Sequence, residues 1–467
     1  MDDSIPAIDR LAGRRVALWG WGSEGRAAFA ALRELQDGPA SLTLFCVPEE
    51  AEQARTAGGD GLVVETEVSA ERLAAFDVVV KSPGVSAYRP ELLEARERGT
   101  RFVGGTALWF AARPDARTLC VTGTKGKSTT SALLAHLLRA AGLRTALAGN
   151  IGMPLLELLH GQAEAWVFEL SSFQTRDVAA SGRRPDVAVV TLVHPEHLDW
   201  HGSEQRYVDD KLALLTEARP RVAVLNAADP RLAALELPES RVVWFNREDG
   251  WHLRGTVIHR GDEAVFDAAG LPLPGRHNRL NLCAALAAIE AFGVDPLPLA
   301  ARAGDFKPLP HRLQPLGERD GIAWVNDSIS TTPLAAGAAL EVYRDARAVI
   351  LLGGHERGVD WSVFAGALET HPPLAAVTMG ASGPRIHGVL EPIAARAGMR
   401  LAAAADLPGA VEAARGLLGD GGGVILMSPG APSFGPYRNY TERGRHFATL
   451  AGFDPEAITA IPGLGIA

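Results

Sequence analysis

Cysteine is scarce in this chain: Cys46, Cys120 and Cys283 are the only three in 467 residues, widely separated and in apolar surroundings. No C-x-x-C pair and no Cys/His metal spacing occurs, which excludes a disulfide framework and a zinc module and leaves buried thiols in a reducing compartment. Long hydrophobic runs are also lacking. No stretch reaches about 18 consecutive apolar residues, so membrane insertion is not expected. Met1-Asp-Asp-Ser-Ile5 has no basic segment leading into an apolar one, and a cytoplasmic location is the expectation. Positive charge is in deficit. With 46 Lys and Arg against 55 Asp and Glu, the formal net charge is −9; general attraction to nucleic acid is excluded, and an anionic substrate must be met by a local cluster of basic groups. No internal repeat or low-complexity segment stands out.

Hydrophobic residues make up 47% of the chain and charged residues 22%, a globular α/β composition with an ample core. The length suggests about three domains at roughly 150 residues each.

The strongest local signal is Leu119-Cys-Val-Thr-Gly-Thr-Lys-Gly-Lys-Ser-Thr-Thr130. An apolar strand runs into a glycine-rich turn, and Leu133, Leu134, Leu137 and Leu138 then recur at helical spacing up to Gly142. A loop between strand and helix is what a phosphate cradle requires: glycines admit backbone N–H groups, the helix N-terminus favours negative charge, Lys127 neutralises terminal phosphates and the Ser128 hydroxyl can ligate magnesium. The spacing Gly123-x-x-Gly126-Lys127-Ser128 is two residues shorter than the usual G-x-x-x-x-G-K-[ST].

Three blocks are expected, residues 1–115, 116–310 and 311–467. In the first, the strand Arg15-Val-Ala-Leu-Trp19 precedes Gly20-x-Gly22-x-x-Gly25 and an Ala-rich helix, and Phe76-Asp-Val-Val-Val80 ends in Lys81-Ser-Pro-Gly84. This is the alternation of a doubly wound, Rossmann-like fold. Cys46 stands where a ribose-holding acid would be convenient, so a dinucleotide site is disfavoured against a diphosphate resting on the first helix N-terminus. The middle block carries strands such as Trp166-Val-Phe-Glu169 and Val187-Ala-Val-Val-Thr191, whose C-terminal ends bring Glu169, Ser171, Ser172, His194, Glu196, His197 and Asp199 towards the phosphate loop. Glu169 reads either as a magnesium ligand or as a strand-terminal surface charge. Asn278 and Asn281, near a helix start, can hydrogen-bond a purine or cap the helix. After the hinge-like Pro308-Leu-Pro310, the third block repeats strand-to-polar-loop units at Trp324-Val-Asn-Asp-Ser328, Val349-Ile-Leu-Leu-Gly-Gly354 and Val424-Ile-Leu-Met-Ser428, indicating a further α/β sheet.

Taken in order, Gly123-Thr-Lys-Gly-Lys-Ser-Thr129, Gly149-Asn-Ile-Gly152, Glu169-Leu-Ser-Ser-Phe-Gln174, Glu196-His-Leu-Asp199, Lys211, Gly275-x-His-Asn-x-x-Asn281, His311-Arg312, Asn326-Asp-Ser328, Leu352-Gly-Gly354 and Ser428-Pro429 resemble the Mur ligases of peptidoglycan precursor synthesis. The resemblance covers nearly the whole chain and, with Ser82-Pro-Gly84, is similar to the members that add glutamate to UDP-N-acetylmuramoyl-L-alanine.

That resemblance implies an α/β protein with an N-terminal Rossmann-like domain for the UDP-sugar, a central P-loop ATPase-type parallel sheet and a C-terminal Rossmann-like domain for the amino acid. It implies ATP-driven amide formation through an acyl phosphate, with ATP and Mg2+ required. Gly123, Thr124, Lys125, Gly126, Lys127, Ser128, Thr129, Asn278, Asn281, Arg312 and Asp327 would contact ATP. Lys127, His197 and Lys211 would serve catalysis. Ser128, Glu169, His197 and Lys211, the last as a carbamate, would hold metal. By its own context Lys211 reads as a surface lysine in a helical stretch. Ser23, Glu24, Ser82 and Asn150 fall where the UDP-sugar would bind, and Thr331, Arg357, Ser428 and Tyr437 in the amino-acid region. The Asn-Asp-Ser-Lys-Ala-Thr of the D-glutamate-adding members is Asn326-Asp-Ser-Ile329-Ser330-Thr331 here, their Gly-Gly-x-x-Lys is Gly354-His-Glu-Arg357, and their Ser-x-Asp-x-Phe is Ser433-Phe-Gly435-Pro-Tyr437. Because arginine and lysine present different geometry to a carboxylate, a different amino-acid pocket is expected, resembling the branch that adds L-glutamate and depends on a separate epimerase. D-Glutamate is the alternative. A monomer is expected. A folylpolyglutamate synthase-like ligase fits less well, since about a hundred residues precede the phosphate loop, and a non-catalytic nucleotide-binding module would be expected to lose Lys127, Glu169, His197 or Lys211.

Overall fold

The computed structural model describes residues 7–467. Two compact units form, one from residues up to Gly270 with His277–Phe306 and Gly463–Ala467, the other from Leu271–Arg276 and Lys307–Pro462. Three predominantly parallel sheets build them, in keeping with the α/β expectation.

The first unit opens with a five-stranded parallel sheet in the order Val63–Glu65, Ser41–Phe45, Arg15–Trp19, Val78–Lys81, Arg101–Val103. Its central strands are buried along nearly their whole length, as expected where helices cover both faces. A ten-stranded sheet follows, with Thr118–Thr122 between Ala165–Glu169 and Val187–Val190, all parallel. The strand pairs align Val121 with Glu169 and Thr122 with Val190. Three strand ends therefore open on the same edge, where ligands of parallel sheets bind.

Residues 8–110 and the central sheet contribute to one hydrophobic core. The helix Gly105–Ala112 buries Leu108, Trp109 and Phe110, and the Trp109 ring lies 4.9 Å from Trp166 and 4.7 Å from Phe168 of the central sheet. Burying that much aromatic surface joins the two blocks into one unit. The last residues, Gly463–Ala467, belong to the first unit. Gly465–Ile466 returns to pair antiparallel with Ala146 and Leu147, and Arg139 Nη2 donates to the Gly465 carbonyl at 3.0 Å. The tail satisfies backbone groups that an edge strand would leave unpaired.

In the second unit six strands run in the order Gln314–Arg319, Ile322–Asn326, Gly423–Met427, Ala348–Leu352, Ala375–Thr378, Arg400–Ala403, the first pair antiparallel and the rest parallel. The late strand Gly423–Met427 inserts between two earlier ones, so the loops after Asn326, Leu352 and Met427 emerge side by side. Among the described residues no helix is long and apolar enough to cross a membrane.

Candidate active site

The phosphate loop leaves Thr118–Thr122 and enters the helix Lys127–Ala140. Gly126 adopts φ +86°, and a Cβ there would come within 2.6 Å of Asn281 Oδ1, so only glycine allows this turn against its neighbour. The loop is clamped from several sides. Thr124 Oγ1 donates to the His194 carbonyl at 2.8 Å and sits 2.7 Å from the Tyr207 hydroxyl, while Thr191 Oγ1 donates to the Lys125 carbonyl at 2.6 Å. Lys127 Nζ donates to the Thr124 carbonyl at 3.1 Å, and Lys125 pairs with Glu196 at 2.6 Å. Ser128 is buried; Thr129 follows it in the first turn.

Glu169 terminates its strand fully buried, not as a surface charge. Asn150 Nδ2 donates to Oε1 at 2.8 Å, and Oε2 has no hydrogen-bond partner among the described residues. A buried carboxylate oxygen without a partner is costly unless a ligand satisfies it, so the donor set suits a hard cation that takes oxygen ligands. Asn150 is thus tied to Glu169, while Ser82 Oγ donates to the Gly20 carbonyl at 3.3 Å and Ser23 opens the helix Ser23–Arg33. Glu24 accepts from Gln174 Nε2 at 3.2 Å; burial, then Asp177 and Glu157, raises its pKa to about 7.

Lys211 is buried, contrary to the surface placement its own sequence context suggested. It lies in the helix Glu204–Thr216, and its Nζ donates to the Gly123 carbonyl at 3.1 Å. Burial first and the Lys127 charge next drive its pKa well below the usual lysine value, against the pull of Glu196 and Glu169. His197 caps the short helix Leu198–His201 with φ +54°, its ring 5.3 Å edge-on from Phe173. Asn281 Nδ2 donates to Asn278 Oδ1 at 3.2 Å. Both asparagines lie inside the helix Arg276–Ala291, so neither is its N-cap, and Asn281 abuts the loop. Among the described residues no group of three His, Cys, Asp or Glu side chains could hold a metal ion.

Beside Lys211 lies a buried network of which the sequence singled out only Ser172. His201 Nδ1 donates to Asp210 Oδ2 at 2.6 Å and Nε2 faces Ser172 Oγ at 3.0 Å. Tyr88 donates to Asp210 at 2.8 Å, and Arg176 Nε pairs with the same carboxylate. Tyr88, Ser172 with Arg176, and His201 with Asp210 come from three separate stretches of the chain, and no local motif announces their meeting.

In the second unit, Asp327 Oδ2 accepts from Ser428 Oγ at 2.7 Å and Oδ1 from the Leu313 N–H at 3.0 Å. Arg312 and Thr331 are half-buried. The Tyr437 hydroxyl lies 2.8 Å from His446 Nδ1, and Arg357 is exposed, beside a Glu356 that pairs with Arg385. Arg443 was not anticipated. It lies with Gly444, Phe447 and Ala448 on the buried face of Tyr440–Leu450, and an arginine at that helical spacing was the available signal.

Residues 121–289 match the Mur ligase middle domain. The chain is 60% identical to the UDP-N-acetylmuramoyl-L-alanine--L-glutamate ligase of Xanthomonas campestris pv. campestris strain 8004, across 98% of this chain and 99% of that protein. The chain belongs to the Mur ligase family. Another Mur ligase, the protein of the same name from Xylella fastidiosa strain 9a5c, is also 60% identical, across 98% of this chain and all of that one. The fold is similar to that of UDP-N-acetylmuramate-alanine ligase from Thermotoga maritima, with a TM-score of 0.59 at 20% identity over 94% of this chain and 99% of the other.

Proposed function

We propose that this Mur ligase joins L-glutamate to the alanyl carboxylate of UDP-N-acetylmuramoyl-L-alanine, driven by ATP. The observation that carries the chemistry is the convergence on one phosphate loop of the unpaired Glu169 Oε2 and of Lys211 Nζ at the Gly123 carbonyl. The substrates follow from relatives of that name at 60% identity over nearly the full length.

A carboxylate does not react with an amine at neutral pH, so it must first gain a leaving group. A carboxylate oxygen of the substrate attacks the γ-phosphorus and the β–γ oxygen bridge breaks, giving ADP and an acyl phosphate. The amine of glutamate then attacks the acyl carbon, loses a proton, and the tetrahedral intermediate expels phosphate. Catalysis here is positioning and charge stabilisation. The loop from Gly123 to Thr129 cradles the phosphates through its N–H groups, with Lys127 as its cation. Asn278 and Asn281 contact the adenine, and Arg312 and Asp327 the rest of the nucleotide. Lys211, depleted of protons by burial, adds through Nζ to carbon dioxide and releases a proton, exchanging a cation for a carbamate anion. Ser128, Glu169, that carbamate and His197 would hold magnesium, which when bound offsets the crowded phosphate charge. Ser23, Glu24, Ser82 and Asn150 receive the UDP-sugar, and Thr331, Arg357, Ser428 and Tyr437 the amino acid. The protein works in the cytoplasm as a monomer, and an epimerase acting on its product would supply the D-centre.

The deciding assay supplies ATP, magnesium and UDP-N-acetylmuramoyl-L-alanine with L- or D-glutamate separately, and follows phosphate release and product mass. Release that requires both organic substrates and prefers L-glutamate is expected; a preference for D-glutamate would reject the L-specific reading while leaving the ligase chemistry intact.

A further inference from the structure

Arg443 is only 2% exposed, yet its hydrogen bonds leave one edge of the guanidinium free. Nε donates to Ser328 Oγ at 3.1 Å, and Nη2 to the carbonyls of Ser328 at 2.8 Å and Ala431 at 3.0 Å. Nη1 has no partner. Asp327 acts on Arg443 as a nearby charge, its carboxylate accepting from Leu313 and Ser428. Burial lowers the Arg443 pKa to about 10, so the group remains a cation at neutral pH. A buried cation without an ion-pair partner is costly, and a bound carboxylate removes that cost.

The surroundings carry further unsatisfied polar atoms. Ser330 Oγ and His311 Nε2 are buried and have no hydrogen-bond partner among the described residues. His311 Nδ1 lies 3.0 Å from Asn326 Nδ2, from which it accepts, so the imidazole proton sits on Nε2 as a second free donor. Asn326 ends the strand Ile322–Asn326, and Ser328 and Ser330 lie in the turn after it. Ala431 follows the adjacent strand Gly423–Met427. Gly354 follows Ala348–Leu352, and a Cβ there would stand 2.3 Å from the Pro432 carbonyl and 2.9 Å from Nη1, so the Gly354 backbone lies against the guanidinium with room for no side chain between them. The cluster thus lies at the carboxyl edge of three neighbouring parallel strands, where a ligand crevice is expected. Arg357, the basic residue picked out by sequence, is exposed.

We propose that Arg443 is a specificity-determining residue of the amino-acid pocket, its Nη1 edge receiving the side-chain carboxylate of the incoming glutamate; this rests on the ligase reading above. The α-amine is consumed in the amide bond, whereas the side-chain carboxylate is carried through unchanged and is the group that distinguishes glutamate from glutamine. A guanidinium selects a carboxylate over an amide because its donors cannot accept from an amide N–H.

The test compares L-glutamate with L-glutamine as acceptors for wild type, Arg443→Met and Arg443→Lys, with KM for ATP measured alongside. Arg443→Lys retains a buried cation and guards against a methionine variant that does not fold. Loss of a charge-assisted hydrogen bond is expected to lower kcat/KM for L-glutamate by on the order of 100-fold, leaving the L-glutamine rate and the KM for ATP near wild type. An unchanged glutamate-to-glutamine ratio, or an equal fall for both acceptors, would overturn the proposal and assign Arg443 to tying the strand-end loops together. Wild-type protein that forms no product from L-glutamate would instead overturn the functional reading itself.

Discussion

Lys211 Nζ and the Gly123 carbonyl lie 3.1 Å apart, so a lysine from the helix Glu204–Thr216 is anchored to the first glycine of the phosphate loop. Its ammonium is buried beside a second cation, Lys127, an arrangement that favours the neutral amine.

Replacing Lys211 by alanine is expected to abolish ligation nearly completely, and added acetate or formate is expected to restore part of the activity, because the missing group is an anion for metal. Phosphate release measured with and without carboxylate, and with an alkylamine as control, checks this. Restoration by the amine alone would reject the carbamate.

Asp210 precedes Lys211 and is held by His201, Tyr88 and Arg176. Asp210→Asn removes a buried charge that several donors share, and is expected to destabilise the protein by about 3 kcal/mol, as for a broken buried pair. Urea denaturation followed by fluorescence gives the value. A change below about 0.5 kcal/mol would mean that the network carries no net stability.

Glu24 gives stability a pH dependence of known sign. Its folded pKa is raised from 4.5 to about 7, chiefly by burial, so its contribution is fully present below about pH 4.5 and is lost as pH rises through about 7. Glu24→Gln is therefore expected to flatten the decline over that window and to gain on the order of 1 kcal/mol at pH 8, allowing for partial exposure. Denaturation at pH 5 and pH 8 for both proteins provides the comparison; an unchanged difference would place the cost elsewhere.

Much of the architecture follows from local pattern. Apolar strands ending in glycine or in polar residues identify Arg15–Trp19, Thr118–Thr122, Ala165–Glu169 and Ala348–Leu352, because a strand buried on both faces must be continuously apolar and its ligand-facing end must not be. The phosphate loop was legible for the same reason: its strand, its glycines and its helix are contiguous. Long-range packing decided the rest. Nothing near Lys211 reveals that its helix turns it under Gly123. Nothing in Gly463–Ala467 announces that these residues pair with Thr145–Gly149, since an edge strand accepts any extended segment that reaches it. Asp210, His201, Ser172 and Tyr88 become a network only when separate segments meet. Arg443 looks like one more helical arginine until the loops after three strands close around it, and the unpaired Nη1 is a property of that enclosure, set by which neighbours donate, which accept, and which are absent.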